Sequence, residues 1–326
     1  MVDEEHMARA ADLAASVQGS TAPNPWVGCV VVTSDGTTYE GATAPPGGAH
    51  AEVAALAAAG PAGRGATLYT TLEPCAHHGR TPPCTEAIIA AGVARVVVAV
   101  TDPDPQVSGR GVADLRRAGI MVDVGVAAAE VAEQLSAYLK HRRTGRPWVV
   151  LKLAATLDGR TAAPDGSSRW ITGEAARADV HRLRARSDAV LVGAGTVRAD
   201  DPELTVRRQP APERQPLRVV LGRAPTAARI RPAVELSGDL GDVLDELGSR
   251  GVLQVLVEGG AGVAHDLHAA GLVDRYVLYL APALMGGDDG RPLFAGLGAP
   301  TIDQLWRGRL VSVERLGDDL RVEVAA

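Results

Sequence analysis

The sequence predicts an α/β protein made of two domains, residues 1–145 and 146–326. Segments in which apolar residues recur at helical spacing alternate with short apolar runs typical of buried strands, and this series occurs twice. The chain has 326 residues, more than one hydrophobic core usually supports. The basic segment HRRTGRP, residues 141–147, separates the two series and is interpreted as the linker.

The first series opens with helical spacing over residues 3–18 and continues through a Pro-rich turn into a strand at 27–33. The elements predicted after this strand are a helix at 51–59, a strand at 66–72, a helix from Thr85 and a strand at 94–100. Gly60-Pro61 is expected to end the first of these helices. The run at 94–100 is apolar throughout, as expected of a strand covered on both faces.

The second series begins with a strand at Trp148. Further strands are predicted at 188–193, 217–222, 252–260 and 275–282, with a helix at 261–270. Residues 209–215 are rich in Pro and charged residues and are predicted to be a loop. No internal repeat is evident in the sequence.

Composition and charge favour a cytoplasmic enzyme. The net charge of −6 and the pI near 5.8 argue against a protein held on nucleic acid by bulk electrostatics. No apolar run approaches the roughly 20 residues of a membrane-spanning helix, so no membrane partner is expected. The acidic start MVDEEHMARA is not typical of a signal peptide, and three cysteines suit a reducing compartment.

Three fragments of the first half predict a zinc site with an open position. His50, Cys75 and Cys84 can supply three of the four ligands of a tetrahedral zinc ion. The fourth position would hold a water whose pKa the metal lowers. Glu52 is not needed as a ligand and suits the role of proton shuttle between this water and a leaving group. The pattern H-x-E followed by P-C and a second Cys is that of the zinc deaminases.

Two features of this motif leave alternatives open. Eight residues separate the two cysteines instead of two, so Cys84 must return to the site just before the helix at Thr85. His77 and His78 lie within that gap, and either one could close the site as a fourth ligand of a structural zinc. Residues two apart on a helix also point about 200° apart, so spacing alone does not bring His50 and Glu52 together.

Cys29, within an apolar strand, is interpreted as a core residue.

The segment TLEPCAHHGRTPPC, residues 71–84, resembles the bifunctional enzymes of riboflavin biosynthesis, which join a diaminohydroxyphosphoribosylaminopyrimidine deaminase to a 5-amino-6-(5-phosphoribosylamino)uracil reductase. The segments PNPWVGCV, HAEVAAL and DPDPQVSGRG are similar to the same family. The resemblance implies a cytidine-deaminase-like α/β/α domain that holds zinc through the three ligands above. The resemblance to deaminases in general implies that Asn24 binds the ring of a small-molecule pyrimidine substrate. His77 and Arg80 are candidates to contact the substrate phosphate. For Arg80, a solvated charge on a loop is an equally good interpretation.

The second half carries no complete dinucleotide fingerprint. The fragments at 193–195 and 260–262 both read GAG and lack the third glycine. The segment VLVEGGAG, residues 255–262, nevertheless runs from a strand through glycines into a helix, whose free N–H groups could hold a phosphate. A tight strand–helix turn explains these glycines equally well.

The segments LKLAATLDGRTA, SRWITG, SDAVLVGAGTVRADDPELTVR and VEGGAG resemble the reductase domain of the same family, which is similar in fold to dihydrofolate reductase. Carried over to matching positions, the resemblance implies NADPH contacts at Ala154, Trp170, Thr196, Asp200, Gly260, Ala261 and Gly262. It implies substrate contacts at Ser168, Arg184, Leu204, Arg207 and Glu258. The two arginines among them suit a sugar phosphate. Lys152 is interpreted as an exposed or ion-paired lysine, with assistance to proton transfer as the alternative.

The chain departs from the family pattern between residues 222 and 241, where a segment looks short and a strand is expected to be missing. A deaminase with a reductase-like half that no longer turns over is therefore an alternative to the bifunctional enzyme. A nucleic-acid deaminase or zinc-dependent binding module is a third hypothesis, against which the acidic charge argues. The family resemblance further implies a homo-oligomer.

Overall fold

Strand pairing in the computed structural model, which describes residues 2–78, 82–105, 107–207 and 214–326, places one large sheet in each half of the chain. The contacts between residues divide the chain into two units, residues 1–145 and 146–326. No helix among these described residues is long and apolar enough to cross a membrane.

The first unit contains six helices and five strands within its described residues. The helices are α1 (Val2–Val17), α2 (Ala51–Ala59), α3 (Cys84–Ala91), α4 (Arg110–Arg117), α5 (Ala128–Gln134) and α6 (Ser136–Thr144). The strands are β1 (Gly28–Val32), β2 (Thr38–Ala42), β3 (Thr67–Leu72), β4 (Arg95–Val100) and β5 (Met121–Val124). A 3₁₀ turn, Gly60–Gly63, follows α2, so the predicted stop at Gly60-Pro61 is confirmed.

The sheet of this unit has the order β2-β1-β3-β4-β5. Strand β1 runs antiparallel to β2 and β3, whereas β3, β4 and β5 run parallel to one another. Consecutive residues Val96, Val97 and Val98 of β4 are all fully buried, which requires a layer on each face of the sheet. One set of helices, α1 and α5, packs together, and α3 packs against α2 and α4.

The prediction of a linker over residues 141–147 was wrong for its first four residues. Helix α6 continues to Thr144 and ends at Gly145, which adopts the left-handed conformation with φ 76°. The helix is anchored because Tyr138 and Leu139 are buried, while Arg and Lys are good helix formers. Basic residues in its last turn also complement the helix dipole.

The second unit contains ten strands and four α-helices within its described residues. The strands are β6 (Trp148–Thr156), β7 (Arg160–Ala162), β8 (Ala189–Gly193), β9 (Leu217–Leu221), β10 (Val234–Leu236), β11 (Gln254–Val257), β12 (Arg275–Ala281), β13 (Arg291–Pro292), β14 (Arg309–Leu316) and β15 (Asp319–Ala325). The helices are α7 (Glu174–Ala185), α8 (Ala194–Asp200), α9 (Leu240–Ser249) and α10 (Ala261–Ala269), with a 3₁₀ turn at Ile302–Gln304.

Eight of these strands form one sheet in the order β10-β9-β8-β11-β6-β12-β15-β14. All neighbours from β10 to β12 pair in parallel, and β15 pairs antiparallel with both β12 and β14. Side chains of β6 alternate between two cores: Leu151 packs into a cluster with α9 and α10, and Val150 into a cluster with α7 and α8. Strands β7 and β13 form a separate pair.

Two predictions for this unit need correction. The strand predicted at 252–260 ends at Val257, because Glu258 is followed by Gly259 with φ 85°, a backbone conformation that leaves the strand region. The segment 222–241 is not without a strand, since β10 lies within it and pairs with β9 at the sheet edge. Residues 209–213 of the predicted loop lie outside the described residues.

Candidate active sites

Three potential metal ligands meet in the first unit where β3 ends and where α2 and α3 begin. His50 immediately precedes α2, Cys75 follows β3, and Cys84 is the first residue of α3. The Nδ1 atom of His50 lies 3.2 Å from Cys84 Sγ and 3.6 Å from Cys75 Sγ, and all three ligand atoms lie within 4.8 Å of one another. Ligand atoms around a tetrahedral zinc are about 3.5 Å apart, so the donor set fits this ion.

Cys84 is the main hydrogen-bond donor to the sulfur of Cys75. The thiol of Cys84 and its backbone N–H both lie against Cys75 Sγ, the latter at 3.3 Å. The hydrogen bond from the Cys84 thiol, followed by the one from His50, lowers the pKa of Cys75 to about 4. The same bond and burial raise the pKa of Cys84. The site therefore presents Cys75 as a thiolate, the form that binds metals.

Glu52 lies beside the three ligands without being one of them. It is the second residue of α2, is only 4% exposed, and has Oε2 3.4 Å from Cys84 Sγ. Burial is the main cause of its raised pKa. His50 precedes the helix with extended backbone angles, so the 200° rule for residues on one helix does not separate it from Glu52.

Neither histidine of the gap belongs to the three-ligand cluster found among the described residues. His78 instead lies on the surface, with Nε2 3.1 Å from Glu86 Oε1. His77 and Asn24 both line the cavity next to the ligands. Arg80 lies outside the described residues.

Glu73, which the sequence analysis missed, binds the segment 102–112 to the end of β3. Its buried carboxylate accepts backbone N–H groups of Asp102, Gly109 and Val112 at 3.2, 3.0 and 3.1 Å. A Cβ atom on Gly111 would lie 2.0 Å from the carbonyl oxygen of Pro74, so α4 approaches this strand end too closely for any side chain there. The only sequence signal was the position of Glu73 next to Pro74-Cys75.

The cavity beside the three ligands has a volume of about 340 Å³ and is rich in acids. Asp102 lies in its wall, where Oδ2 accepts the Tyr138 hydroxyl at 2.9 Å and Oδ1 accepts the Asp104 N–H at 2.9 Å. Burial raises the pKa of Asp102. Arg142 lines the same cavity, although the sequence placed it in the linker.

A larger cavity of about 820 Å³ lies in the second unit. All seven predicted NADPH contacts line it, and so do Ser168, Arg184, Arg207 and Glu258. Leu204 is not among the lining residues, because its side chain is buried in the core cluster with α7 and α8. The cavity is large enough for a cofactor or substrate of drug size or above.

The turn between β11 and α10 has the features of a phosphate-binding loop. Gly260 precedes α10, and its N–H donates to Thr196 Oγ1 at 2.9 Å. A Cβ on Gly260 would lie 3.2 Å from the same hydroxyl, so glycine permits this close approach. The N–H groups at the start of α10 remain directed away from the helix and suit an anionic group.

Three charged side chains form a buried group at the end of β11. Arg184 donates to both oxygens of Glu258, at 2.5 and 2.9 Å, and its Nη1 donates to the Thr205 carbonyl at 3.1 Å. Lys152 Nζ lies 3.8 Å from Glu258, so the ion-paired interpretation of this lysine is confirmed. Burial is the main cause of the lowered pKa of Lys152. For Glu258, burial opposes the charged form, but Arg184 and Lys152 hold the pKa below its usual value.

Known protein families match both halves of the chain. The family model described as the cytidine and deoxycytidylate deaminase zinc-binding region matches residues 1–100, and the one described as the RibD C-terminal domain matches residues 147–322. The riboflavin biosynthesis protein RibD of Mycobacterium tuberculosis is 44% identical over 337 residues, which cover 99% of this chain and 97% of its own.

Two solved structures are similar over nearly the whole length. Acinetobacter baumannii RibD, form 1, is 41% identical with a TM-score of 0.93, and the match covers 99% of this chain and 98% of that one. A Thermotoga maritima protein named as a diaminohydroxyphosphoribosylaminopyrimidine deaminase/5-amino-6-(5-phosphoribosylamino)uracil reductase is 36% identical with a TM-score of 0.91, over 99% and 98% of the chains.

Fold and sites together define a zinc-dependent deaminase joined to a reductase in one chain. The predicted order, a cytidine-deaminase-like α/β/α domain followed by a reductase domain, is confirmed. The chain belongs to the RibD family and is a bifunctional deaminase and reductase of riboflavin biosynthesis that uses zinc and NADPH.

The three-ligand geometry predicts one zinc ion per chain. Replacement Cys84→Ala should abolish stoichiometric zinc, because two ligands hold the ion far more weakly than three. Cys29→Ala and His77→Ala should both retain it, since Cys29 is a core residue and His77 is not part of the cluster. Metal analysis of the purified variants checks this. Full zinc in Cys84→Ala, or its loss in His77→Ala, would contradict the ligand set.

The bonds to Glu73 predict a loss of local stability in Glu73→Gln. The NH2 group of the new amide would replace an oxygen that accepts backbone N–H groups. Two donors that face each other cannot bond, which costs about 1–3 kcal/mol. We expect zinc to be released at a lower urea concentration, measured with a metallochromic dye. Glu130→Gln, at an exposed position of α5, is the control and should release zinc as the wild type does. An unchanged release midpoint in Glu73→Gln would show that these bonds do not support the site.

Proposed function

We propose that residues 1–145 deaminate 2,5-diamino-6-ribosylamino-4(3H)-pyrimidinone 5′-phosphate and that residues 146–326 reduce the ribosyl group of the product to ribityl. The observation that carries the first part is the cluster of three ligands with a buried glutamate beside it. The Thermotoga maritima neighbour, which is named for these two activities, supports the choice of substrate.

In the deaminase half, His50, Cys75 and Cys84 would hold zinc, and the chemistry that zinc supplies is the acidification of a bound water. As the oxygen of this water adds to the ring carbon that bears the amino group, Glu52 would move the water's two protons to the ring nitrogen and to the amino nitrogen, so that the carbon–nitrogen bond breaks, ammonia leaves and the ring carbon becomes a carbonyl. The raised pKa of Glu52 suits both transfers, because a carboxylate of ordinary acidity returns a proton poorly. Asn24 and His77 line the cavity and would contact the substrate, with Arg80 from the adjoining segment.

In the reductase half, NADPH would supply a hydride to C1′ of the opened, imine-like form of the ribosylamine. Its contacts are the predicted residues Ala154, Trp170, Thr196, Asp200, Gly260, Ala261 and Gly262, all of which line the cavity. The substrate would be held by Ser168, Arg207 and Glu258, with Arg184 fixing the Glu258 carboxylate.

The reduction also needs a proton on the nitrogen that was part of the imine. Lys152 lies beside Glu258 in the cavity wall together with Arg184, and burial lowers the pKa of the lysine, which eases release of its proton. The Lys152–Glu258 pair therefore supplies this proton while the carboxylate keeps the lysine charged until transfer.

We further propose a cytoplasmic location and a homo-oligomeric state. The free cysteines, two of them required as metal ligands, favour a reducing compartment. Size-exclusion chromatography with light scattering measures the oligomeric state, and a monomer would refute that part.

Glu52→Gln is expected to keep zinc and to lose ammonia release by about 10²–10⁴-fold, the usual contribution of a general acid–base. The substitution preserves shape and removes the ability to carry a proton. Ammonia release is measured with a coupled glutamate dehydrogenase assay, alongside zinc content. Glu86→Gln, on the exposed surface of α3, is the control and should behave as the wild type. Wild-type turnover in Glu52→Gln would refute the shuttle.

Thr196→Val is expected to weaken NADPH binding by about 3- to 10-fold, because the hydroxyl that orients the Gly260 N–H is worth about one hydrogen bond. Isothermal titration calorimetry measures the dissociation constant. Thr226→Val, at an exposed position, should leave it unchanged. Absence of NADPH binding to the wild type would instead favour a deaminase whose second half does not turn over.

A further inference from the structure

Trp170 presents an indole ring at the wall of the large cavity in the second unit. The residue lines this cavity and is 71% exposed, whereas Trp26 of the first unit is only 3% exposed. Exposed apolar surface of this size is unfavourable in water, and a ligand that covers it gains free energy. The indole is therefore suited to contact a planar group that binds in the cavity.

One part of this ring is already covered by Arg177. The guanidinium carbon lies 4.6 Å from the centroid of the Trp170 ring, a distance typical of a cation–π contact. Arg177 is the fourth residue of α7 and lines the same cavity. A planar guanidinium that packs on an indole restricts the orientation of the ring, and the exposed part of the ring stays open to a ligand.

The backbone that follows Trp170 is fixed at the same time. Arg177 Nη1 donates to the carbonyl oxygen of Thr172 at 2.6 Å, and the N–H of Gly173 donates to Oδ2 of Asp319 at 2.7 Å. Asp319 is buried, so the second of these bonds is shielded from water. Arg177 thus contacts both the ring of Trp170 and the chain two residues after it.

These contacts reduce the number of conformations that Trp170 can adopt before a ligand arrives. An exposed side chain without them would exchange among several rotamers, and selecting one of these on binding costs entropy. A side chain that is fixed beforehand avoids this cost, so the affinity for the ligand is higher.

We propose that Arg177 is a positioning residue of the reductase half, which holds the indole of Trp170 in the orientation that NADPH contacts. The inference rests on the NADPH contact proposed for Trp170. Because Arg177 acts through the indole, its effect on NADPH must disappear when the indole is absent.

The test is a double-mutant cycle on NADPH binding, measured by isothermal titration calorimetry. Arg177→Met removes the guanidinium and should raise the Kd by about 3- to 10-fold, the value of a cation–π contact and of the ordering that it provides. In the Trp170→Ala background, the same substitution should change the Kd by less than about twofold. Arg177→Lys, which keeps the charge but not the planar group, should lie between the wild type and Arg177→Met.

Arg186→Met is the matched control, because Arg186 directly follows α7, is exposed and is not among the described residues that line the cavity. It should leave the Kd of NADPH unchanged. If Arg177→Met does not fold, the cycle is run with Arg177→Lys.

Two kinds of result would overturn the proposal. If Trp170→Ala weakens NADPH binding but the Arg177 substitution has no effect, or has an equal effect in both backgrounds, the positioning role is wrong and the contact of Trp170 stands. If Trp170→Ala leaves the Kd unchanged, the contact proposed for Trp170 is refuted and the positioning role with it.

Discussion

The convergence of three ligand atoms on a space the size of one metal ion constrains the whole first unit. His50 and Cys84 stand at the starts of α2 and α3, and Cys75 follows the end of β3, so the site exists only if both helices begin at that end of the sheet. Parallel strands make this arrangement natural, because helices that follow them begin at their carboxyl ends. The first N–H groups of these helices have no partner within the helix, and they stabilise thiolates. The N–H of Cys84, for example, donates to Cys75 Sγ.

Glu73 extends this constraint to the wall of the cavity. A buried carboxylate is unfavourable unless it is fully hydrogen-bonded, and three backbone N–H groups from the segment 102–112 satisfy it. The bonds therefore hold Asp102 at a fixed distance from the end of β3. In the second unit, Arg184, Glu258 and Lys152 form a buried group of a different kind, with two cations and one anion. The desolvation of such a group offsets much of its electrostatic attraction, so its presence is weak evidence for a stabilising role.

Much of the fold and of the metal site could be predicted from the sequence, because both depend on short-range patterns. Helix α2 was predicted with its observed bounds, and the zinc ligands follow from a motif whose residue types are specific to the chemistry. The contacts of Glu73 could not be predicted, since they join residues 29 to 39 positions apart that no periodicity relates. Tyr138 was missed for the same reason, being 36 positions from Asp102. The strand β10 was missed because it is three residues long.

The arginines show why residue type alone does not identify a phosphate ligand. Arg184 was predicted to suit a sugar phosphate, yet its Nε, Nη1 and Nη2 atoms all donate to Glu258 or to the Thr205 carbonyl. Its guanidinium is committed to positioning a carboxylate, and a phosphate would have to displace those bonds. Arg142, interpreted from the sequence as part of a linker, instead lines the cavity of the first unit. Both side chains carry the same charge, so what each one can bind is decided by the groups that surround its guanidinium. A guanidinium already bonded to a carboxylate binds a phosphate only by exchanging those bonds.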